Sequence, residues 1–190
     1  MPHSSQQARD LEAVLRAQAG RSQEQADRAV KDNAPSVERI VDGILGNNFV
    51  ESRLPKFMAF YKRVTEDTRA LFLPTKSLWN RPRPFSISNQ VNAIGELLPT
   101  ASYPSGHATR GWLTAILLAN MVPEQSAELF QRGREYGDNR VVAGVHFPTD
   151  IEAGRLGASA IATALMQNDA FHRDFNDAKA ELREVLGLPM

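Results

Sequence analysis

The chain has 190 residues, and its 22 Lys and Arg are balanced by 22 Asp and Glu, so it lacks the cationic surplus on which general binders of nucleic acid or anionic membrane depend. It has no cysteine, which excludes disulfides, thiolate nucleophiles, Cys-ligated zinc and iron–sulfur clusters. At this length one domain over residues 1–190 is expected, burying on the order of 70% of its unfolded surface.

The first residues, Met1-Pro2-His3-Ser4-Ser5-Gln6-Gln7, show no basic stretch followed by an apolar run, so no secretory signal is read in them. Leu11, Val14 and Leu15 then follow at helical spacing, and a polar helical stretch covers Ser22 to Val30. Val37, Ile40, Val41, Ile44 and Leu45 form an apolar stripe of a third helix. Leu54-Pro55 opens a fourth with Phe57, Phe60, Tyr61, Val64 and Leu71 on one side, Pro being tolerated in a first turn, and it is expected to end near Pro74. From Thr75 to Pro104 four prolines (Pro82, Pro84, Pro99, Pro104) and a polar stretch predict a long loop, the kind of segment that tends to be functional. Ala108 to Met121 reads as a buried central helix, although Trp112 to Val122 is far shorter than the ~20 apolar residues of a spanning one. Helices are also predicted over Pro123 to Tyr136, Pro148 to Met166 and Phe171 to Leu186. No strand alternation, repeat or composition shift appears, and the expected class is a single all-α domain.

Three segments carry chemistry. Lys76-Ser77-Leu78-Trp79-Asn80-Arg81-Pro82-Arg83-Pro84 places three cations in a proline-stiffened stretch, a donor set that suits phosphate oxygens and also suits an ordinary solvated loop. Ser102-Tyr103-Pro104-Ser105-Gly106-His107 precedes the central helix, where backbone N–H groups and the helix dipole suit an anion; Ser105 is equally a good N-cap. In Asn139-Arg140-Val141-Val142-Ala143-Gly144-Val145-His146-Phe147-Pro148-Thr149-Asp150, a helix or tight turn would bring His146 to Asp150. An Asp accepting from Nδ1–H fixes the imidazole tautomer and leaves Nε2 free to attack. The plainer reading is a capping Asp beside a satisfied core His. His3 and His172 have no neighbours that suggest a role.

Taken together, Lys76 with Arg83-Pro84, Pro104-Ser105-Gly106-His107, and Arg140 with His146 and Asp150 resemble the tripartite signature of the type 2 phosphatidic acid phosphatase superfamily. Among its branches, Ser-Tyr-Pro-Ser-Gly-His and the lack of spanning segments are most similar to the bacterial class A non-specific acid phosphatases. The resemblance covers about residues 76–166. One departure stands at Asn139, where the family usually has Ser; Asn can also donate to an oxyanion, so a shift in specificity is expected rather than loss of the site.

The resemblance implies an all-α helical bundle of the kind shared with vanadium haloperoxidases. It implies a metal-independent acid phosphatase that hydrolyses small soluble phosphomonoesters, with phosphotransfer to other alcohols as an extension. By position His146 is then the nucleophile that forms a phosphohistidine, Asp150 orients it, and His107 protonates the leaving alkoxide and activates water, so an acidic optimum is expected. Lys76, Arg83, Ser105, Gly106 and Arg140 hold the phosphoryl oxygens. Arg81, Asn139 and Tyr103 are expected to support the cradle; in an extended segment Arg81 would point to the same side as Arg83, either backing the phosphate-binding groups or pairing with an acid. For Trp79, Phe85 and Tyr103, core packing is favoured over walling the pocket. No cofactor or metal is expected; phosphate and vanadate are the expected ligands, with neither nucleic acid nor membrane as partner and with room for a homodimer. Kinship implies the periplasm, with the cytoplasm as the alternative. The competing functions are a vanadium-dependent haloperoxidase using the same anion site, a lipid phosphate phosphatase, and a non-catalytic phosphate-binding helical domain.

Overall fold

A computed structural model describes residues 4–41 and 43–189; His3 lies outside them. Among the described residues the chain forms nine α-helices and two short 3-10 turns, and no strand. The early helices begin where side chains can take their unpaired N–H groups. Ser4 caps α1 (Ser5–Gly20), accepting from the Gln7 N–H at 3.1 Å. Ser22 and Gln25 form a reciprocal capping box on α2 (Gln23–Lys31). The third helix is shorter than the apolar stripe predicts. α3 (Val37–Val41) stops before Gly43, whose φ of 84° leaves the helical region, yet Leu45 beyond it is still buried.

α4 (Pro55–Trp79) overturns the expected end near Pro74. Proline removes only its own N–H bond to Ala70, and Ala70 is exposed, so water can reach the carbonyl left unpaired. The helix continues for another turn until Asn80 adopts the left-handed conformation (φ 42°, ψ 38°), and Lys76 is therefore helical rather than on a loop. The expected loop also contains a short helix, α5 (Pro84–Ile87).

α6 (Gly106–Met121) is the centre, with ten of its residues buried. On one side Leu113, Leu117, Leu118 and Met121 join Phe57, Phe60, Tyr61 and Val64 of α4 and Phe171, Phe175 and Leu182 of α9 (Asp169–Leu186) in the largest core cluster. Each such aliphatic or aromatic side chain contributes roughly 1.5–3 kcal/mol by leaving water. On the other side α7 (Ser126–Val142) and α8 (Pro148–Leu165) approach through glycines. A Cβ on Gly133 would sit 2.7 Å from both the Ala115 Cβ and the Gly111 carbonyl, and one on Gly154 would sit 2.6 Å from the Ser105 carbonyl. These close crossings bring the start of α6, the end of α7 and the start of α8 to one end of the bundle.

If backbone contact at Gly133 sets the α6–α7 distance, Gly133→Ala should destabilise the protein by about 1–3 kcal/mol despite the better helix propensity of Ala. Gly157→Ala in α8, with open space around it, should instead stabilise by about 0.5–1 kcal/mol. Urea unfolding of the two variants checks both signs.

Candidate active site

The site is organised around one carboxylate. After α7 ends, Gly144 turns the chain at φ 74° and the N–H groups of Val145 and His146 both donate to the Arg140 carbonyl. Pro148 then starts α8, and Asp150 in its first turn accepts the Phe147 N–H at 2.8 Å. The same Oδ2 lies 3.3 Å from His146 Nδ1 and accepts the Ser102 hydroxyl at 2.8 Å. Asp150 is thus both a helix cap and the partner of the imidazole, so the two readings offered by the sequence coexist.

Arg81 takes the other oxygen, Oδ1, at 2.7 Å. It also donates to Asp10 Oδ2 at 2.7 Å and to Gln7, and its guanidinium lies 4.1 Å over the Phe147 ring. The Thr149 hydroxyl hydrogen-bonds Asp10 as well. Of the two expectations for Arg81, pairing with an acid is met by both Asp10 and Asp150. Motif reading missed Gln7 and Asp10, although both are buried on the same face of α1 as Val14, and an acid on an apolar face was a usable signal.

Arg83 is buried and approaches the imidazole from the opposite edge, with NH1 3.3 Å from His146 Nε2. A guanidinium only donates, so Nε2 must present its lone pair, and the proton on Nδ1 then faces Asp150. The remaining Arg83 donors reach the Thr100 carbonyl and hydroxyl and the Val145 carbonyl. Lys76 in the last turn of α4 donates to the carbonyls of Ala101 (2.8 Å) and Pro104 (2.9 Å), holding the loop that leads into α6. Ser105 is the N-cap of α6; its Oγ accepts the Ala108 N–H at 3.3 Å and its own N–H donates to the Asp150 carbonyl at 3.0 Å. Gly106 opens the helix.

His107 and Arg140 meet a segment the motifs did not single out, the turn between α2 and α3. His107 Nε2 donates to the Asn33 carbonyl at 3.2 Å, since a carbonyl can only accept, and its ring lies 5.5 Å from that of Tyr136. Arg140 NH1 donates to Asn33 Oδ1 at 3.1 Å, and NH2 donates to the Ala29 carbonyl. Asn139 donates not into the cradle but to Asp32 Oδ2, 2.7 Å away, and Asp32 is paired with the buried Arg132. Sequence spacing offered no signal for Asn33, which lies more than a hundred positions before Arg140. The aromatic expectation is partly corrected: Trp79 is 63% exposed and meets Tyr103 edge-on at 5.5 Å, so it is not a core residue, whereas Phe85 packs against the cluster of Val14, Val91 and Phe147. Among the described residues no group of three or more His, Asp or Glu is placed to hold a metal ion.

Burial governs the electrostatics. It lowers His146 to about 4, with Arg83 and Lys76 adding to the effect and Asp150 opposing it. Burial, then Arg140, lowers His107 to about 3. Lys76 falls to about 8 through burial and its neighbour Arg83. For Asp150 burial alone would raise the pKa, but His146, Arg81 and the Phe147 N–H outweigh it and hold the carboxyl low. Both imidazoles are thus neutral in the native protein at pH values where unfolded His, near ~6.5, takes up a proton. Native stability should therefore decline as pH falls from about 6.5 toward 4, each His contributing about 1.4 kcal/mol per pH unit. His146→Gln and His107→Gln should each remove one such increment from the slope measured by urea unfolding; unchanged slopes would mean that the rings titrate normally.

Comparison with known proteins shows the family. The PAP2 superfamily matches residues 64–173. An acid phosphatase of Zymomonas mobilis is 35% identical over 74% of the chain and 54% of its own length, so the chain spans about half of that relative. A non-specific acid phosphatase of Salmonella typhimurium is 30% identical over 92% of the chain and 73% of its own length, and one of Providencia stuartii is 29% identical over 87% and 70%. The fold is similar to that of a transmembrane PAP2-type phosphatidylglycerolphosphate phosphatase of Bacillus subtilis, with a TM-score of 0.64, 18% identity and 89% of both chains covered. No helix among the described residues is long and apolar enough to cross a membrane. With more than half of its length matched and the three motif segments gathered at one end of the bundle, the chain belongs to the PAP2 superfamily.

Proposed function

We propose that the chain is an acid phosphatase that hydrolyses small phosphomonoesters through a phosphohistidine intermediate. The observation that carries this reading is the state of His146, whose Nδ1–H is directed at Asp150 while the Nε2 lone pair faces Arg83. A nucleophile held neutral, oriented by a carboxylate and placed against a guanidinium suits attack on a phosphoryl group whose oxygens that guanidinium can hold. Relatives named acid phosphatase and non-specific acid phosphatase support it, and kinship with them points to the periplasm.

In the first step Nε2 forms a bond to phosphorus as the ester P–O bond breaks, and His107 gives its proton to the departing alkoxide. In the second, His107 takes a proton from water as the water oxygen bonds to phosphorus and the P–N bond breaks, releasing inorganic phosphate. An alcohol in place of water would give phosphotransfer. Lys76, Arg83 and Arg140, with the Ser105 hydroxyl and the start of α6, supply the positive field for the non-bridging oxygens. A phosphoryl oxygen anion would replace the Asn33 amide oxygen on Arg140, and its negative charge would raise the pKa of His107 and make it a proton donor.

His146→Ala should abolish turnover of every ester, and retained activity would sink the nucleophile assignment. His107→Ala should slow alkyl phosphates by about 100-fold or more but spare p-nitrophenyl phosphate, whose leaving group needs little protonation. The pH profile should fall on the acid side near 4, where His146 becomes protonated, and on the alkaline side as His107 loses its proton in the complex. A profile flat across that range would contradict both roles.

A further inference from the structure

Beside the cradle, between α4 and α6, lies a cavity of about 280 Å³ whose chemistry differs from that of the phosphate site. Lys76, Gly106 and His107 form part of its lining, so it is continuous with the groups assigned to the phosphoryl oxygens and the leaving oxygen. Leu113 and Leu117, each 2% exposed, form its floor, and Leu73 and Leu98, 45% and 37% exposed, stand at its edge. The hydroxyls on its walls bond to one another or to backbone carbonyls. Tyr61 and Thr114 pair with each other at 2.8 Å, and Thr65, Thr68 and Thr109 donate to the carbonyls of Lys62, Val64 and Ser105. Arg110 donates to the Pro35 carbonyl, and Arg69 lies on the exposed rim.

A sugar entering such a space would exchange its water for few partners, because the exposed lining is chiefly apolar. A hydrocarbon would lose nothing and bury apolar surface. An apolar cavity of about 150 Å³ suffices for benzene, so the space here accepts an aryl ring with a short chain, or a medium alkyl chain. We propose that this cavity is the leaving-group subsite, and that the preferred substrates are phosphomonoesters of apolar alcohols, aryl or straight alkyl, rather than sugar phosphates. The proposal rests on the phosphatase reading of the cradle.

The test compares kcat/KM for ethyl, butyl, hexyl and octyl phosphate and for glycerol phosphate, together with calorimetric affinities of the matching non-hydrolysable alkylphosphonates. Turnover and affinity should both climb about fourfold for each methylene that leaves water until the cavity is filled, with glycerol phosphate no better than ethyl phosphate. The double variant Leu73→Asn, Leu98→Asn, at the exposed edge of the cavity and without added charge, should keep the ethyl phosphate rate and lose the chain-length gain. Flat chain-length series with ethyl phosphate still hydrolysed, or a gain that survives in the double variant, would overturn the subsite and leave the phosphatase reading intact. Affinities that climb without hydrolysis of any ester would uphold the subsite and overturn the phosphatase reading, and failure of both series would overturn both.

Discussion

The structure around the site depends on a single buried carboxylate. Asp150 accepts from the Phe147 backbone, from Ser102, from His146 and from Arg81, while its own carbonyl receives the N–H of Ser105. Four stretches of chain are thereby tied together: the start of α8, the turn that carries His146, the loop entering α6, and α1 through Arg81 and Asp10. A carboxylate so placed would be costly to bury alone. Its partners hold it ionised against burial, and the negative charge in turn fixes which nitrogen of His146 carries the proton. Structural and chemical roles therefore cannot be separated at this residue, because the hydrogen bonds that cap the helix also define the charge seen by the imidazole.

The cations obey a different rule. Arg81 is matched by the carboxylates of Asp10 and Asp150, but Lys76, Arg83 and Arg140 are held chiefly by carbonyl and amide oxygens. Carbonyls orient a buried cation without neutralising it. The protein can therefore have equal numbers of acidic and basic residues overall and still keep net positive charge at one end of the bundle. Burial, the larger cause, and the cations beside them, Arg140 and Arg110 for His107 and Arg83 and Lys76 for His146, together make protonation of the two imidazoles less favourable.

Asn33 shows how a segment remote in sequence enters this balance. Its backbone oxygen fixes a His107 tautomer and its side-chain oxygen accepts from Arg140, while the adjacent Asp32 engages Arg132 and Asn139. The residue that departs from the family pattern, Asn139, is therefore part of the scaffold that seats this turn. The α2–α3 turn meets the site at His107 and Arg140 and α1 meets it at Arg81, and both are anchored there by buried polar groups rather than by the main apolar core, which lies around α4, α6 and α9.

Helical periodicity and capping residues were enough to read the all-α class, the central helix and the last two helices, because these signals act within a few residues. The three motif segments were legible only as an ordered set, since each alone has an ordinary reading, and the family match covers all of them. What local pattern could not decide was how far α4 runs, because a proline breaks one hydrogen bond but an exposed carbonyl can bond water instead, and the helix continues. Nor could it decide the partners of Arg81, Arg140 and Asn139. Those contacts join residues some seventy to more than one hundred positions apart, through the packing of α1 and the α2–α3 turn against the end of the bundle that the glycine crossings of α6, α7 and α8 assemble. By itself the sequence determined which groups were available for chemistry; the tertiary structure decided which of them face one another, since only packing can set a distance between residues that the chain does not hold close.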